Sequence, residues 1–167
     1  MRTLLVAVAV AVAVAIVSSV ACHEPASARQ DRCASGLKPS ILLKISGLKN
    51  HKGIIRIRLF GGNPETYFDK RYPLEVIQFP VATSSDIERC ILVPRAGIYA
   101  VDVRHDVNGN GQSDRTDGGG ASGNPDFSLL DVILTRKPPQ KIVQINVARG
   151  LTPVTVVIKY LSGTRFK

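Results

Sequence analysis

Side-chain oxygens recur through residues 106–117 at the intervals that one hard cation demands. Asp106, Asn108, Asn110, Asp114 and Asp117 fall at positions 1, 3, 5, 9 and 12 of a twelve-residue calcium-loop template, and Gly111 falls at position 6. In such a loop alternate side chains turn inward onto the ion. Gln112, at position 7, adds its backbone carbonyl, and the glycine permits the positive φ of a tight turn. Only three of the five side chains are carboxylates, and position 12 carries Asp rather than the longer Glu. The dissociation constant expected for calcium is therefore weak, on the order of 10⁻⁴ to 10⁻³ M. Asp and Asn are also turn formers in their own right, because their side chains hydrogen-bond to backbone two residues on. The loop thus has two readings, a weak calcium site and a metal-free turn, and residue types leave both open. The tract Gly118-Gly119-Gly120 that follows is either a flexible lip over the site or an unstructured loop tip.

His105 stands beside Asp106, and an enzyme reading would make them a base and its orienter. Neighbours on a strand point to opposite faces, so the two side chains do not meet easily. His105 continues the face of Tyr99, Val101 and Val103 and reads as a sheet-end histidine that caps the core edge or holds the loop. His51 sits in a turn. Gly-x-Ser-x-Gly, His-Glu-x-x-His and phosphate-loop patterns are absent from the sequence, and the two downstream cysteines read as a bonded pair. A non-catalytic binding or structural module of the cell envelope is the leading expectation. An enzyme using His105 and Asp106 is the alternative.

The amino terminus carries Arg2, an apolar stretch over residues 4–20, and then Pro25-Ala26-Ser27-Ala28. That order spells a signal peptide over residues 1–28, with Ala26 and Ala28 as the small residues a leader peptidase requires. The apolar stretch falls short of the ~20 residues that span a bilayer, so no membrane span is expected after cleavage. Arg2 and Glu24 leave together, and the net charge of +9 is unchanged. Cys22 leaves with the leader, and Cys33 and Cys90 remain to form a disulfide in an oxidising compartment. A competing reading makes Cys22 the acylated first residue of a lipoprotein, since Ser19-Val20-Ala21 places a small residue before it. Either route leads to a periplasmic or secreted location.

The elements that must position the loop are strands. Apolar residues recur with period two and β-branched types dominate, as half-buried strands require. Ile41, Leu43 and Ile45 share one face of a first strand, and Ile55, Ile57 and Leu59 share the inner face of a second, with Arg56 and Arg58 pointing the other way. Further strands are expected over 75–81, 88–93, 98–105, 128–135, 140–147 and 154–160, separated by clusters of Pro, Gly, Asp and Asn. About eight strands suit an all-β, antiparallel two-sheet β-sandwich of immunoglobulin- or transthyretin-like kind. The chain then divides into the signal peptide, a short segment 29–39, a β-sandwich domain 40–162 and a basic C-terminal tail 163–167.

Composition narrows the partners. Aromatic content is 5% and Trp is absent, so a stacking surface for single-stranded nucleic acid or sugar rings has little material, and nucleic acid is set aside. The basic residues are scattered rather than gathered in a run, which reads first as solubility; the partner stays open, with a basic face toward anionic envelope components as the second reading.

A resemblance enters at Lys52-Gly53 and sharpens over 97–125. Pro94, Gly97, Tyr99, Ala100, His105, Asp106, Asn108, Gly109, Asn110, Gly111 and Asp114, with Ser122, Gly123, Asn124 and Pro125 as a contracted last piece, resemble the hallmark of bacterial domain of unknown function family 2141. The likeness extends over roughly 40–161, and only the central motif is specific. It implies an exported β-sandwich with no established activity.

Overall fold

The computed structural model describes Cys33 and residues 36–81, 83, 87–134 and 136–167. The expected signal peptide over 1–28, with Cys22 and the expected cleavage point, lies outside the described residues. Among those described, no helix is long and apolar enough to cross a membrane.

Two sheets face each other. The smaller runs β4-β1-β8, from β1 (Ser40–Ser46), β4 (Ile87–Leu92) and β8 (Leu151–Val157). The larger runs β10-β9-β6-β5-β2-β3, from β2 (Ile54–Gly61), β3 (Glu75–Pro80), β5 (Gly97–Asp106), β6 (Gly118–Ala121), β9 (Lys159–Ser162) and β10 (Arg165–Phe166). The short β7 (Ile145–Val147) pairs with the start of β5, while β6 pairs with its end. Two short strands thus follow one another along a single edge of β5. All pairings are antiparallel except β1 with β8, which is parallel.

Alternation explains the core. Ile41, Leu43 and Ile45 of β1, Ile55, Ile57 and Leu59 of β2, and Val101 and Val103 of β5 are all buried between the sheets. Each fully buried Ile or Leu stabilises the fold by about 1.5–3 kcal/mol. The odd-numbered residues of β2 and β5 face inward, so the even-numbered ones face away from this core. At one end of that outer face lies a second cluster. Phe60 is fully buried and stacks on Phe68 at 5.1 Å, and Ala100, Ala121 and Val143 pack with Tyr67, Phe68 and Phe127.

Strands β1 to β5 and β8 stand within three residues of the expected positions. Residues 128–135, expected as a strand, instead contain a short helix, α1 (Leu129–Ile133). The apolar residues there run on without alternating, and Ser128 and Asp131 form a capping box. Asp131 Oδ2 accepts from the Ser128 N–H at 3.0 Å and from its hydroxyl at 2.6 Å, while Ser128 Oγ accepts from the Asp131 N–H at 3.2 Å. Residues 140–147 divide into α2 (Gln140–Val143) and β7. Pro138-Pro139 leads into the helical turn, and the side-chain amide of Gln140 donates to the Gly62 carbonyl at 2.7 Å. The glycine tract is neither lip nor loop tip, because it forms β6 within the sheet. The tail at 163–167 includes β10, which pairs back on β9. Among the described residues ten strands result rather than about eight.

Candidate functional site

The loop over 106–117 leaves the end of β5 and returns as β6. Gly53 lies so close to its start that a Cβ there would collide with the carbonyls of Asp106 and Val107, and its φ is +78°. The turn between β1 and β2 therefore braces the loop through bare backbone. Inside the loop Asn108, Asn110 and Asp114 each make an Asx-type contact with the N–H two residues on. The Asn108 carbonyl oxygen accepts from the Asn110 N–H at 3.1 Å, and that of Asn110 accepts from the Gln112 N–H at 2.8 Å. Asp114 Oδ1 accepts from the Thr116 N–H at 2.8 Å, while Oδ2 takes the side-chain amides of Asn108 at 2.7 Å and Asn110 at 3.3 Å. The Thr116 hydroxyl and N–H, with the Asn108 amide, hold the Asp114 pKa down at about 2. Gly109 and Gly111 both adopt positive φ, as the turn requires.

The two end carboxylates are buried and close the loop. Asp117 accepts from the N–H of Val107 at 3.1 Å through Oδ1 and from that of Asp114 at 3.3 Å through Oδ2, which ties entry to exit. Asp106 Oδ2 accepts from the Gly111 N–H at 2.8 Å and from the Arg104 guanidinium at 2.9 Å. Its other oxygen, Oδ1, is buried with no hydrogen-bond partner. Among the described residues no three His, Cys, Asp or Glu side chains converge closely enough to hold an ion between them. The structure brings Asp106, Asn108, Asn110, Gln112, Asp114 and Asp117 into one loop and engages them chiefly with its own backbone and amides.

His105 and Asp106 are not brought together. His105 is fully buried on the inner face, whereas Asp106 leaves the outer face. His105 Nε2 lies 2.7 Å from the Lys52 carbonyl, which can only accept, so Nε2 carries the proton and Nδ1 accepts from the Tyr160 hydroxyl. Both ring nitrogens are engaged, and the imidazole ties the turn before β2 to β9. Burial raises the Tyr160 pKa above its ordinary value, which keeps the hydroxyl a donor. Cys33 and Cys90 stand at disulfide distance with Cα atoms 6.0 Å apart, within the usual range, and fasten the start of the described chain to β4.

A second feature adjoins the loop. A cleft of about 540 Å³ opens on the outer face of the larger sheet, bordered by residues of β2, β5 and β6, by 68–71 and by 136–138. Arg58 pairs with Asp102 across the strands, both half-buried. Arg104 pairs with Asp106. Arg56 stands directly opposite Arg104 in the β2–β5 register, and the Nε atoms of both are buried without a partner.

From β1 to β8, residues 43–155 match the model of a bacterial family described as uncharacterised protein conserved in bacteria, domain of unknown function 2141. The chain belongs to this family. Neither a curated protein nor a solved structure matches it.

In this member of family 2141 the loop lies where its spacing places it, whereas the cleft was not anticipated. The outward alternation of Arg56 and Arg58 was visible in the sequence. Their meeting with Arg104 depends on the register of two strands more than forty residues apart, and alternation carries no such information.

Proposed function

We propose that the protein is an exported, non-catalytic binding or structural module of the bacterial envelope whose loop over 106–117 is braced by a weakly bound calcium ion. The observation that carries this reading is the buried Oδ1 of Asp106. A buried acceptor left without a donor is destabilising by about 1–3 kcal/mol, and more for a charged group, whereas a cation satisfies it directly. Asp106 also occupies position 1 of the template, and its second oxygen is held by Gly111 at position 6, so the free oxygen is left to ligate. Calcium accepts mixed oxygen sets, and the carbonyl oxygens of Asn108 and Asn110 and the carboxylates of Asp114 and Asp117 supply one without new residues.

The test is thermal unfolding of the purified protein in excess chelator and again in ~10 mM calcium. Affinity on the order of 10⁻⁴ to 10⁻³ M adds about 1.4–2.7 kcal/mol at that concentration, a shift of several degrees. Asp114→Asn should remove most of the shift while leaving the buried Arg104–Asp106 pair intact. An unchanged melting curve would reduce the loop to turn chemistry. Export is checked by mass spectrometry of the processed amino terminus. A free Arg29 is the expected result, and a diacylglyceryl-Cys22 would move the protein to the lipoprotein route.

A further inference from the structure

The outer face of the larger sheet changes character along its strands in three rows. The first row sets Arg56 of β2 against Arg104 of β5, with Gly119 of β6 beside them. The second sets Arg58 against Asp102, with Ala121 beyond. The third sets Phe60 against Ala100, where Phe68 and Phe127 close over the sheet. Successive rows lie two residues apart along each strand, about 7 Å. One cleft therefore joins a cationic end to an apolar end over a short distance.

The cationic end sets two facing guanidinium groups against one ion-paired carboxylate, Asp106 on Arg104. Like charges directly opposite each other across two strands are destabilising. Asp102 is bonded to Arg58 and Asp106 to Arg104, so both carboxylates diagonal to Arg56 are engaged. Among the described residues Arg56 makes no ion pair, and burial together with the charges of Arg104 and Arg58 lowers its pKa. Two guanidinium Nε–H donors, on Arg56 and Arg104, are buried beside the cleft with nothing to receive them. Lys70 lies along the same wall.

The floor is left open by a single residue. Gly118 and Gly120 face inward, where a Cβ would collide with Tyr160 and Ile158 or with the backbone of Val157. Gly119 faces the cleft, and a Cβ there would meet nothing within 4 Å.

We infer that this cleft binds a small amphipathic oxyanion, a phosphate or carboxylate group on a single apolar chain, with the anion between Arg56 and Arg104 and the chain running toward Ala121, Phe68 and Phe127. An oxyanion beside the two facing guanidinium groups screens the like-charge pair. The apolar end accounts for the second half of the ligand, since inorganic phosphate would leave it empty. The volume lies within the range of sites that enclose a small molecule. The cleft shares the Arg104–Asp106 pair and the lining residues Asp114 and Asp117 with the loop, so its test is run with chelator present to separate the two readings.

Octyl phosphate, inorganic phosphate and octyl glucoside are titrated calorimetrically into the purified protein, with vesicles of an anionic phospholipid as a fourth arm. Octyl phosphate should bind at least tenfold more tightly than inorganic phosphate, and octyl glucoside at least tenfold more weakly than octyl phosphate. Arg56→Gln should weaken octyl phosphate at least tenfold without lowering the melting temperature, because it removes one of two facing like charges. Gly119→Leu should block the floor and weaken binding by a similar factor. Equal affinity for inorganic phosphate would overturn the apolar half of the site, and equal affinity for octyl glucoside the anionic half. Unchanged binding in both variants would overturn the location. Capture by vesicles without binding of free octyl phosphate would replace the cleft ligand with a membrane surface and refute the inference.

Discussion

Three adjacent glycines should respond to the same substitution in opposite directions. In β6 the pleat sends Gly118 and Gly120 inward and Gly119 outward. At Gly118 a new Cβ would lie 2.5 Å from Ile158 Cγ2 and from the Tyr160 ring, and at Gly120 it would lie 2.6 Å from the Val157 carbonyl oxygen. Both fall roughly 1 Å short of the ~3.5 Å at which heavy-atom contacts become attractive. Overpacking of this kind is destabilising by about 1–3 kcal/mol, with Gly120→Ala toward the upper end because its neighbour is backbone and does not rotate away. Against this stands the entropy that Gly→Ala removes from the unfolded chain, about 0.4–1 kcal/mol, which acts alone at Gly119. For a chain of this size each kcal/mol moves the melting temperature by about 2–4 °C. Gly118→Ala and Gly120→Ala should therefore melt several degrees below the parent, and Gly119→Ala at or slightly above it. Circular dichroism melts of the three variants under one buffer decide the matter. Gly118→Ala should also disturb the Tyr160–His105 contact, visible as a shift of the His105 ring resonances. If Gly119→Ala falls as far as its neighbours, or if all three are neutral, the assigned pleat of β6 is wrong, and with it the open floor of the cleft.

Two further outcomes are expected. Asp114 is held at about 2 by hydrogen bonds to its charged form, below the ordinary carboxylate range. A depressed acid stabilises the fold above its unfolded pKa and loses that contribution as pH falls through the folded one. The loop should thus stay ordered down to about pH 4 and open as pH drops toward about 2, followed by the amide resonance of Thr116. A loop that opens above pH 5 would contradict these bonds. Reduction of Cys33–Cys90, or Cys90→Ser with Cys33→Ser, releases a closure of 57 residues. The chain-entropy model puts that loss at about 4 kcal/mol, read from urea unfolding with and without reductant. A difference below ~1 kcal/mol would place the bond outside the folded framework.

What the sequence made legible follows from which interactions are local. Ile41, Leu43, Ile45 and Ile55, Ile57, Leu59 announce their strands because each strand has one face against a core, and burial on one face imprints period two. The oxygen spacing of residues 106–117 is likewise local, and the loop forms where it predicts. The same spacing serves a cation and a chain of Asx turns equally well, so chemistry does not follow from position. Residues 129–134 carry apolar side chains on both sides of Asp131 without alternating, and so short a segment is not divided by periodicity between strand and helix. There the Ser128–Asp131 capping box tips the balance.

Gly118-Gly119-Gly120 carries no pattern, since a residue without a side chain cannot alternate. Its strand is imposed from outside, by β5 on one edge, by β9 on the other and by β8 packed beneath. A sheet interior built of glycine is weak in propensity, so its presence calls for a reason in packing or access. Two of the three positions have that reason on the inner face, where Tyr160 and Val157 leave no room. Neither constraint reaches Gly119, for which alanine would be the more stable choice on backbone grounds alone. Its side-chain position faces the cleft beside Arg56 and Arg104. Gly119 thus leaves open space beside the facing guanidinium groups, which is the room that the inferred oxyanion site requires.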